Sequence, residues 1–530
     1  MSDTSKKQTF LHGTALLAMA TAIVKLIGAL YKIPLNAIIG EQGFGYFNTA
    51  YEIYNVLLMI STAGLPVAMS RMISQASSLE NYRQVRKIYS VARGIFLGLG
   101  LVSAVLMTAF CRQLAAFQEQ PDAWAAIGFL GPSAFFICVM STYRGFFQGQ
   151  RNMIPTSVSQ VLEAAVKLVV GIAAALILLK TTDSVALAAG GAILGVTVSC
   201  VVSSIYLRHK FTATYRDLPL GNDTPDDAKN IAKGLLMIAV PITIGSAGLQ
   251  ILTVLETKIY MGRLLQIMTQ DAADTQKGIY NMTQTIFNMP CAFITPITIS
   301  VIPAITGQLA TGSKKAARRT AQSAARVTGL ICMPCAVGLF VLAEPVTALL
   351  GGYEGEKLAL ATRLMQVLSI CIIFNAVVLL TNAIMQAHGH AVAPVINMFV
   401  GGFIKLAAVA ILTGNPHIGI VGTPIGTLLC YFSISILNVL TMKRLLRRPP
   451  AIVRNLVRAF LSAIVMGVLT FLAWYGLKAL GIGSSVILCG VPILVGVVVY
   501  VACVVKLKAI TRSDCLLLPK GQKIADLLHL

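Results

Sequence analysis

The sequence predicts an all-α, polytopic membrane protein of about 14 transmembrane helices, in two six-helix lobes followed by two further C-terminal helices. Three observations carry that prediction. The 530 residues are 56% hydrophobic and only 12% charged, too little charge to cover a soluble body of this length. The apolar residues fall in blocks of about 20 or more, which crosses a bilayer at about 1.5 Å rise per residue. These blocks do not alternate in hydrophobicity as barrel strands would. Third, the chain repeats itself. Tyr143–Leu168 (YRGFFQGQRNMIPTSVSQVLEAAVKL) returns in altered form at Thr381–Leu406 (TNAIMQAHGHAVAPVINMFVGGFIKL). Gln148 matches Gln386, Pro155 matches Pro394 after a one-residue slip, and Lys167-Leu168 matches Lys405-Leu406.

In chain order the spans are expected at 11–33, 46–70, 88–111, 124–147, 156–179, 185–207, 231–256, 280–307, 325–350, 362–387, 392–413, 418–441, 456–479 and 484–506. The first is a retained helix, because the polar start MSDTSKKQTF leads to no small-residue cleavage site. With Lys6 and Lys7 inside, 30 of the 42 Lys and Arg residues fall in inner segments, eight in outer segments and four within spans. That asymmetry places both termini in the cytoplasm of a cell-membrane protein. It also accounts for most of the net charge of +22 through topology and attraction to anionic lipid heads, so no nucleic-acid partner is expected.

The repeat reaches beyond its most legible stretch. Ile53-Tyr54-Asn55 recurs as Ile279-Tyr280-Asn281, and Gly191 and Gly195 align with Gly422 and Gly426. Spans 1–6 therefore correspond to spans 7–12, and an even span number sends both copies into the membrane the same way. The expected organisation is an N-lobe at 1–207, a solvated cytoplasmic linker at 208–230 and a C-lobe at 231–441. The two extra spans and a cytoplasmic tail fill 442–530. A substrate path is expected between the lobes.

Ionisable groups within spans cost about 2.5–3.5 kcal/mol each on insertion scales, so each needs a reason. Lys25 lies past the middle of the first span, and Lys32, seven residues on, shares its helix face. Lys25 is expected to line a hydrated cavity. Lys32 either joins that cationic stripe or snorkels to the outer interface. Asn48, Asn55 and Thr62 in span 2, and Asn281, Asn288 and Thr295 in span 8, form heptad-spaced polar stripes. Such stripes are either interhelical glue or the walls of a wet cavity, with Glu52 and Glu256 near its outer mouth.

Glu163 and Lys167 stand at i,i+4 in acid-then-base order, which suggests a structural ion pair. Lys405, in the matching span, has Gly401 at i−4 and so lacks that acidic partner on its own helix. Arg144 and Gln148, at the inner interface, either anchor a turn or meet a lipid headgroup. The cysteines lie mostly within apolar blocks, where they serve as small apolar residues. No phosphate-binding glycine loop, nucleophile–base arrangement or metal-ligand cluster stands in the sequence, and the CxxC pattern of Cys332-Met-Pro-Cys335 lies in a span with no His or acidic neighbour to complete a site. The expectation is a protein that is not an enzyme and carries no cofactor or metal.

The segments KLIGALYKIPL (25–35), GEQGFGYFNTAYEIY (40–54), STAGLPVAMSR (61–71) and RGFFQGQRNMIPTSVSQVLEAAVKL (144–168) bear a family likeness. They resemble stage V sporulation protein B and related polysaccharide-biosynthesis membrane proteins. These are relatives of the MurJ-type lipid II flippases in the multidrug/oligosaccharidyl-lipid/polysaccharide exporter superfamily. The likeness covers nearly the whole chain. It implies a two-lobed, V-shaped, MATE-like fold. It also implies transfer of a polyprenyl-pyrophosphate-linked sugar, such as lipid II, from inner to outer leaflet by alternating access. Lys25 falls where such flippases carry an arginine that faces the pyrophosphate. Where they carry a second basic residue, this chain has Tyr31, with Lys32 next to it. The two extra spans would shape a groove for the lipid tail. A monomer coupled to an ion or to the membrane potential is expected. An ion-coupled multidrug exporter on the same fold would want acidic residues deep in the lobes, and Glu163 is the clear deep candidate. A non-transporting scaffold for cell-wall or spore-cortex assembly is the third reading.

Overall fold

The computed structural model describes residues 3–62, 64–150, 152–446, 449–481 and 484–507; the side chains of Lys25, Thr62 and Thr295 lie outside the described residues. The chain divides into two compact units, Met1–Gly278 and Ile279–Leu530. The first unit holds α1 (Asp3–Thr62), α2 (Leu65–Ser78), α3 (Tyr82–Ala109), α4 (Cys111–Phe117), α5 (Trp124–Gly149), α6 (Ile154–Thr182), α7 (Val185–Arg216) and α8 (Ala228–Leu264). It also takes in the first turns of α9 (Gln270–Ala310). The second unit holds the rest of α9, α10 (Lys314–Val341), α11 (Ala343–Gly351), α12 (Gly355–Ala387), α13 (Val392–Leu412), α14 (Gly422–Leu445), α15 (Ile452–Ala479) and α16 (Ser485–Lys506).

Among the described residues, 12 helical segments are long and apolar enough to cross a membrane. The expected spans at 11–33 and 280–307 are not among the 12; they belong to α1 and α9, both helical. In the first unit α1 packs against α5, α6, α7 and α8, and α6 against α7. In the second, α10 packs against α12 and α15, and α12 and α13 pack against α14.

Two connections differ from the spacing read in the sequence. Helix α1 runs straight through the expected loop after residue 33, broken only at Gly40, with φ 67° and ψ −179°. That backbone conformation is essentially restricted to glycine, so a single residue turns the chain where several were expected. Likewise α7 continues to Arg216, and the connector that follows is docked rather than loose. The Asp223 carboxylate accepts the backbone N–H groups of Arg83 (3.0 Å) and Gln84 (2.7 Å), in the first turn of α3. Gln84 donates its side-chain amide to Asp226 (2.8 Å), and Arg86 donates to the Leu218 carbonyl (2.8 Å). A helix start leaves its first amides without intrahelical acceptors, and here a carboxylate from far along the chain supplies one. Desolvation pushes the Asp223 carboxyl up, but its backbone hydrogen bonds and the charge of Arg83 outweigh that and hold it below the usual carboxylate range.

The internal repeat is visible in packing. Gly195 of α7 lies so close to α6 that a Cβ there would sit 2.4 Å from Gly171 and 3.0 Å from the Lys167 carbonyl. Its counterpart Gly426 in α14 lies against α13, where a Cβ would sit 2.7 Å from Val409 and 3.3 Å from the Lys405 carbonyl. Each unit thus builds one close helix pair from a matching glycine and a matching lysine turn.

The polar groups beside those pairs have diverged. In the first unit Arg144 ion-pairs with Glu163 at 2.9 Å and donates to the Ser159 hydroxyl at 3.0 Å. At the matching place in the second unit the charges are gone. Asn438 donates to Asn382 (2.8 Å) and to the Thr381 hydroxyl (2.9 Å), and Asn397 donates to Asn438 (2.9 Å).

Candidate functional site

The break at Gly40 lets the two segments of α1 meet side by side. Tyr31 then lies 5.9 Å from Phe47, ring to ring, and Phe44 and Phe47 stack at 6.1 Å. Beside this aromatic seam the half-buried Lys32 donates to the Asn48 amide oxygen at 3.1 Å. Asn48 uses its own N–H to hold the Phe44 carbonyl at 2.7 Å. Lys32 therefore does not point away from the protein, as a snorkelling lysine would; it folds back onto the polar stripe of α1.

A second cation comes from α6. The Lys167 ammonium stands 5.6 Å from the Tyr31 ring centroid and 5.8 Å from that of Tyr51. It also repels Lys32 electrostatically. Tyr31 is 1% exposed and donates its hydroxyl to the Ala192 carbonyl at 3.0 Å, so it is a fixed wall beneath Lys167. The short ion pair of Glu163 is with Arg144 at 2.9 Å, while Lys167, expected to be its partner, stays within its electrostatic reach. A guanidinium on α5 has the reach and geometry to hold both Ser159 and Glu163, which outweighs the few tenths of a kcal/mol that an i,i+4 pair supplies. Glu163 still attracts Lys167 electrostatically, but the ammonium lies against the rings. Glu52, one turn beyond Asn48, is an electrostatic partner of Lys32, and among the described residues its buried Oε2 atom meets no hydrogen-bond donor.

One turn round α1 lies a second polar network. Lys277, in the first turns of α9, is fully buried. It donates to the Thr49 hydroxyl and, at 2.9 Å, to the Gln120 side-chain oxygen, which also accepts from Thr49. Gln120 donates to Asp274 at 2.7 Å, and the same carboxylate accepts from Gln270 (3.1 Å) and Tyr46 (3.2 Å). Glu52 is an electrostatic partner of Lys277 too, so it connects the two groups. The segments that meet here are 41–49, 118–123 and 270–278, all of which the charge pattern assigns to the outer side. Helix α9 approaches so closely that a Cβ at Gly278 would sit 1.8 Å from the Glu41 carbonyl.

The other expected site residues fall in both compact units. Asn55 is half-buried, Glu256 is buried on α8, Asn281 is buried on α9, and Asn288 on α9 is exposed. Gln148 is half-buried near the end of α5, and Lys405 is half-buried on α13 and engaged by its neighbours. Reading the sequence alone put Lys277 in an outer loop and passed over Gln120 and Asp274. One signal was available: aligning Ile53-Tyr54-Asn55 with Ile279-Tyr280-Asn281 sets Lys277 opposite Tyr51, so a lysine replaces an aromatic residue of the buried seam.

Comparison with known proteins follows the same lines. Residues 10–308 match the family model described as polysaccharide biosynthesis protein, and residues 260–411 match the MatE model. Lipid II flippase MurJ of Bacillus subtilis (strain 168) is 23% identical over 412 residues, covering 75% of this chain and 76% of that protein. Stage V sporulation protein B of the same organism is 24% identical over 449 residues, covering 83% and 85%. Among solved structures, an inward-facing MATE family transporter of the MOP superfamily superposes with a TM-score of 0.65 at 15% identity, over 79% of this chain and 97% of that one. Lipid II flippase MurJ in an inward closed conformation also gives 0.65, at 12% identity, over 92% and 98%. At such identities these two likenesses speak for the fold.

Proposed function

The chain belongs to the polysaccharide biosynthesis protein family, and from that premise we propose that it is a membrane flippase for a polyprenyl-pyrophosphate-linked sugar. Lipid II or a close precursor is the substrate, moved from inner to outer leaflet by alternating access. The observation that carries this reading is the meeting of Lys32 and Lys167 beside Glu52 and Asn48, inside an apolar chain. A pyrophosphate crossing about 30 Å of hydrocarbon needs a cationic, hydrated route, because an isolated anion there is prohibitively costly. Two half-buried ammonium groups supply charge of the right sign, and Asn48 holds one of them in place. The seven-residue spacing in the sequence is what assigns Lys25 to the same stripe in this reading.

The isoprenoid tail asks for the opposite surface. Within the second unit an apolar cavity of about 690 Å³ runs between α9, α10, α11, α15 and α16, lined by residues such as Pro290, Leu339, Met466, Ile493 and Val497. The two helices that follow the repeat thus help to form a groove suited to a hydrocarbon chain. Cationic drugs would meet charge of the wrong sign at Lys32 and Lys167, which disfavours the exporter reading.

The test is translocation of fluorescent lipid II in proteoliposomes by the wild type and by Lys25→Ala, Lys32→Ala and Lys167→Ala. Accessible lipid II on the far leaflet should rise with wild-type protein and fall at least about tenfold with each variant, in line with charge-assisted contacts of about 1.5–3 kcal/mol. A wild-type protein that moves no lipid II, or variants that move it at the wild-type rate, would overturn the proposal.

A further inference from the structure

The first unit carries a second basic pocket, away from Lys32 and Lys167. It is a cavity of about 260 Å³ between α3, α5 and α7, at the end that the charge pattern assigns to the cytoplasm. Its rim holds two exposed arginines, Arg93 on α3 and Arg208 at the end of the apolar part of α7. Among the described residues neither guanidinium makes a hydrogen bond or ion pair with the protein, and no carboxylate lines the cavity. The phenolic side chains of Tyr89 and Tyr143 stand beside them, and the deeper wall is apolar, from Leu97, Phe136 and Val201. Ile205, on the α7 wall, is 64% exposed, so the pocket opens sideways where the surrounding medium would be lipid.

The tyrosines do not move freely. Tyr89 is buried in an aromatic group, stacked on Phe211 at 4.4 Å and edge-on to Phe146 at 5.7 Å. Tyr143 meets Phe211 at 5.2 Å. A rigid aromatic floor, two unsatisfied guanidinium groups at headgroup depth and apolar walls one to two turns deeper match one kind of molecule. That molecule has a phosphate at one end and acyl chains at the other. A soluble anion would use the arginines but gain nothing from the apolar wall. A zwitterionic lipid would use the wall but bring a positive charge to the arginines.

We infer that Arg93 and Arg208 form a binding site for the phosphate headgroup of an anionic phospholipid of the cytoplasmic leaflet, whose chains run up the groove between α3, α5 and α7. Basic pockets between transmembrane helices on the cytoplasmic side attract such headgroups. The site stands apart from the flippase reading, and its test measures binding alone.

The experiment is native mass spectrometry of the full-length protein in detergent. It is titrated with phosphatidylglycerol, with phosphatidylcholine of the same chains, and with water-soluble glycerol phosphate. The expected result is retention of phosphatidylglycerol about tenfold over phosphatidylcholine, with no competition from glycerol phosphate. The Arg93→Gln/Arg208→Gln double variant should bring the two lipids to near parity. Leu97→Trp, which fills the apolar wall and leaves both charges, should also lose the preference, and it decides the matter if the arginine variant does not fold. Lys87→Gln/Lys210→Gln, which removes exposed cations near the same end, should retain it. Equal retention of the two lipids by the wild type overturns the inference. So does an undiminished preference in Leu97→Trp or in a folded arginine variant, or displacement by glycerol phosphate.

Discussion

Lys277 shows what one side chain can hold together. Its ammonium is fully buried, and its acceptors Thr49 and Gln120 are buried with it. Lys277→Met keeps the length of the side chain and removes the donor, leaving the Gln120 oxygen and the Asp274 carboxylate with less to balance them. Stripping one partner from a buried polar network costs about 1–3 kcal/mol, so thermal unfolding of the purified protein should move down by several degrees. The double variant Lys277→Met/Gln120→Met should lose less than the sum of the single losses, because both act on one network. Additive losses would mean that the hydrogen bonds carry no shared energy. Lys32 and Lys167 behave differently at this scale. Both are half-buried, and in the proposed reading their charge is offered to a ligand.

At the scale of elements, glycines decide where helices can approach. Gly262 sits near the end of α8 and Gly278 in the first turns of α9, yet their surroundings differ. A Cβ at Gly278 would collide with the Glu41 backbone, while a Cβ at Gly262 would meet nothing within 4 Å. Gly262→Ala should raise stability by about 0.5–1 kcal/mol through helix propensity. Gly278→Ala should lower it by about 1–3 kcal/mol, because backbone must shift to make room. Chemical or thermal denaturation of the two variants reads the sign directly, and a stabilised Gly278→Ala would refute the close approach of α9 to α1.

Much of this level was legible in the sequence. Apolar blocks marked the helices and matched glycines and lysines marked the repeat, while the close α6–α7 and α13–α14 approaches at those residues came from the structure. What was not legible came from contacts between distant segments. The partner of Glu163 is Arg144 from another helix rather than the neighbour at i+4, and no local rule favours a residue 19 positions away. The turn at Gly40 hid because one glycine with an unusual backbone replaces a loop that spacing would make longer.

At the scale of the whole molecule, the connector after α7 is a latch. Asp223 grips the start of α3, and its carboxyl titrates below the usual carboxylate range. A carboxyl depressed in the folded state contributes stability above its unfolded pKa and loses it as pH falls through the folded value. Limited proteolysis within 217–227 should therefore stay slow at neutral and mildly acid pH. It should quicken only as the pH drops beneath the ordinary aspartate value of 3.8. Asp223→Asn should be cut readily at neutral pH. Equal cutting of variant and wild type would show that the carboxylate does not hold the connector.

The burial of Lys277 also has a consequence for the order in which the protein is made. The first compact body ends at Gly278, past the connector and past α8, and its polar network is completed only by the first turns of α9. A nascent chain that has inserted α1 to α7 can pair Thr49 with Gln120, but must wait for some sixty more residues of synthesis before Lys277 reaches that pair and Asp274 reaches Gln120 and Tyr46. Expressed alone, residues 1–278 should give a monodisperse, protease-resistant species, and residues 1–227 should not. The first half of this duplicated chain is finished by borrowing the opening turns of a helix that otherwise belongs to the second.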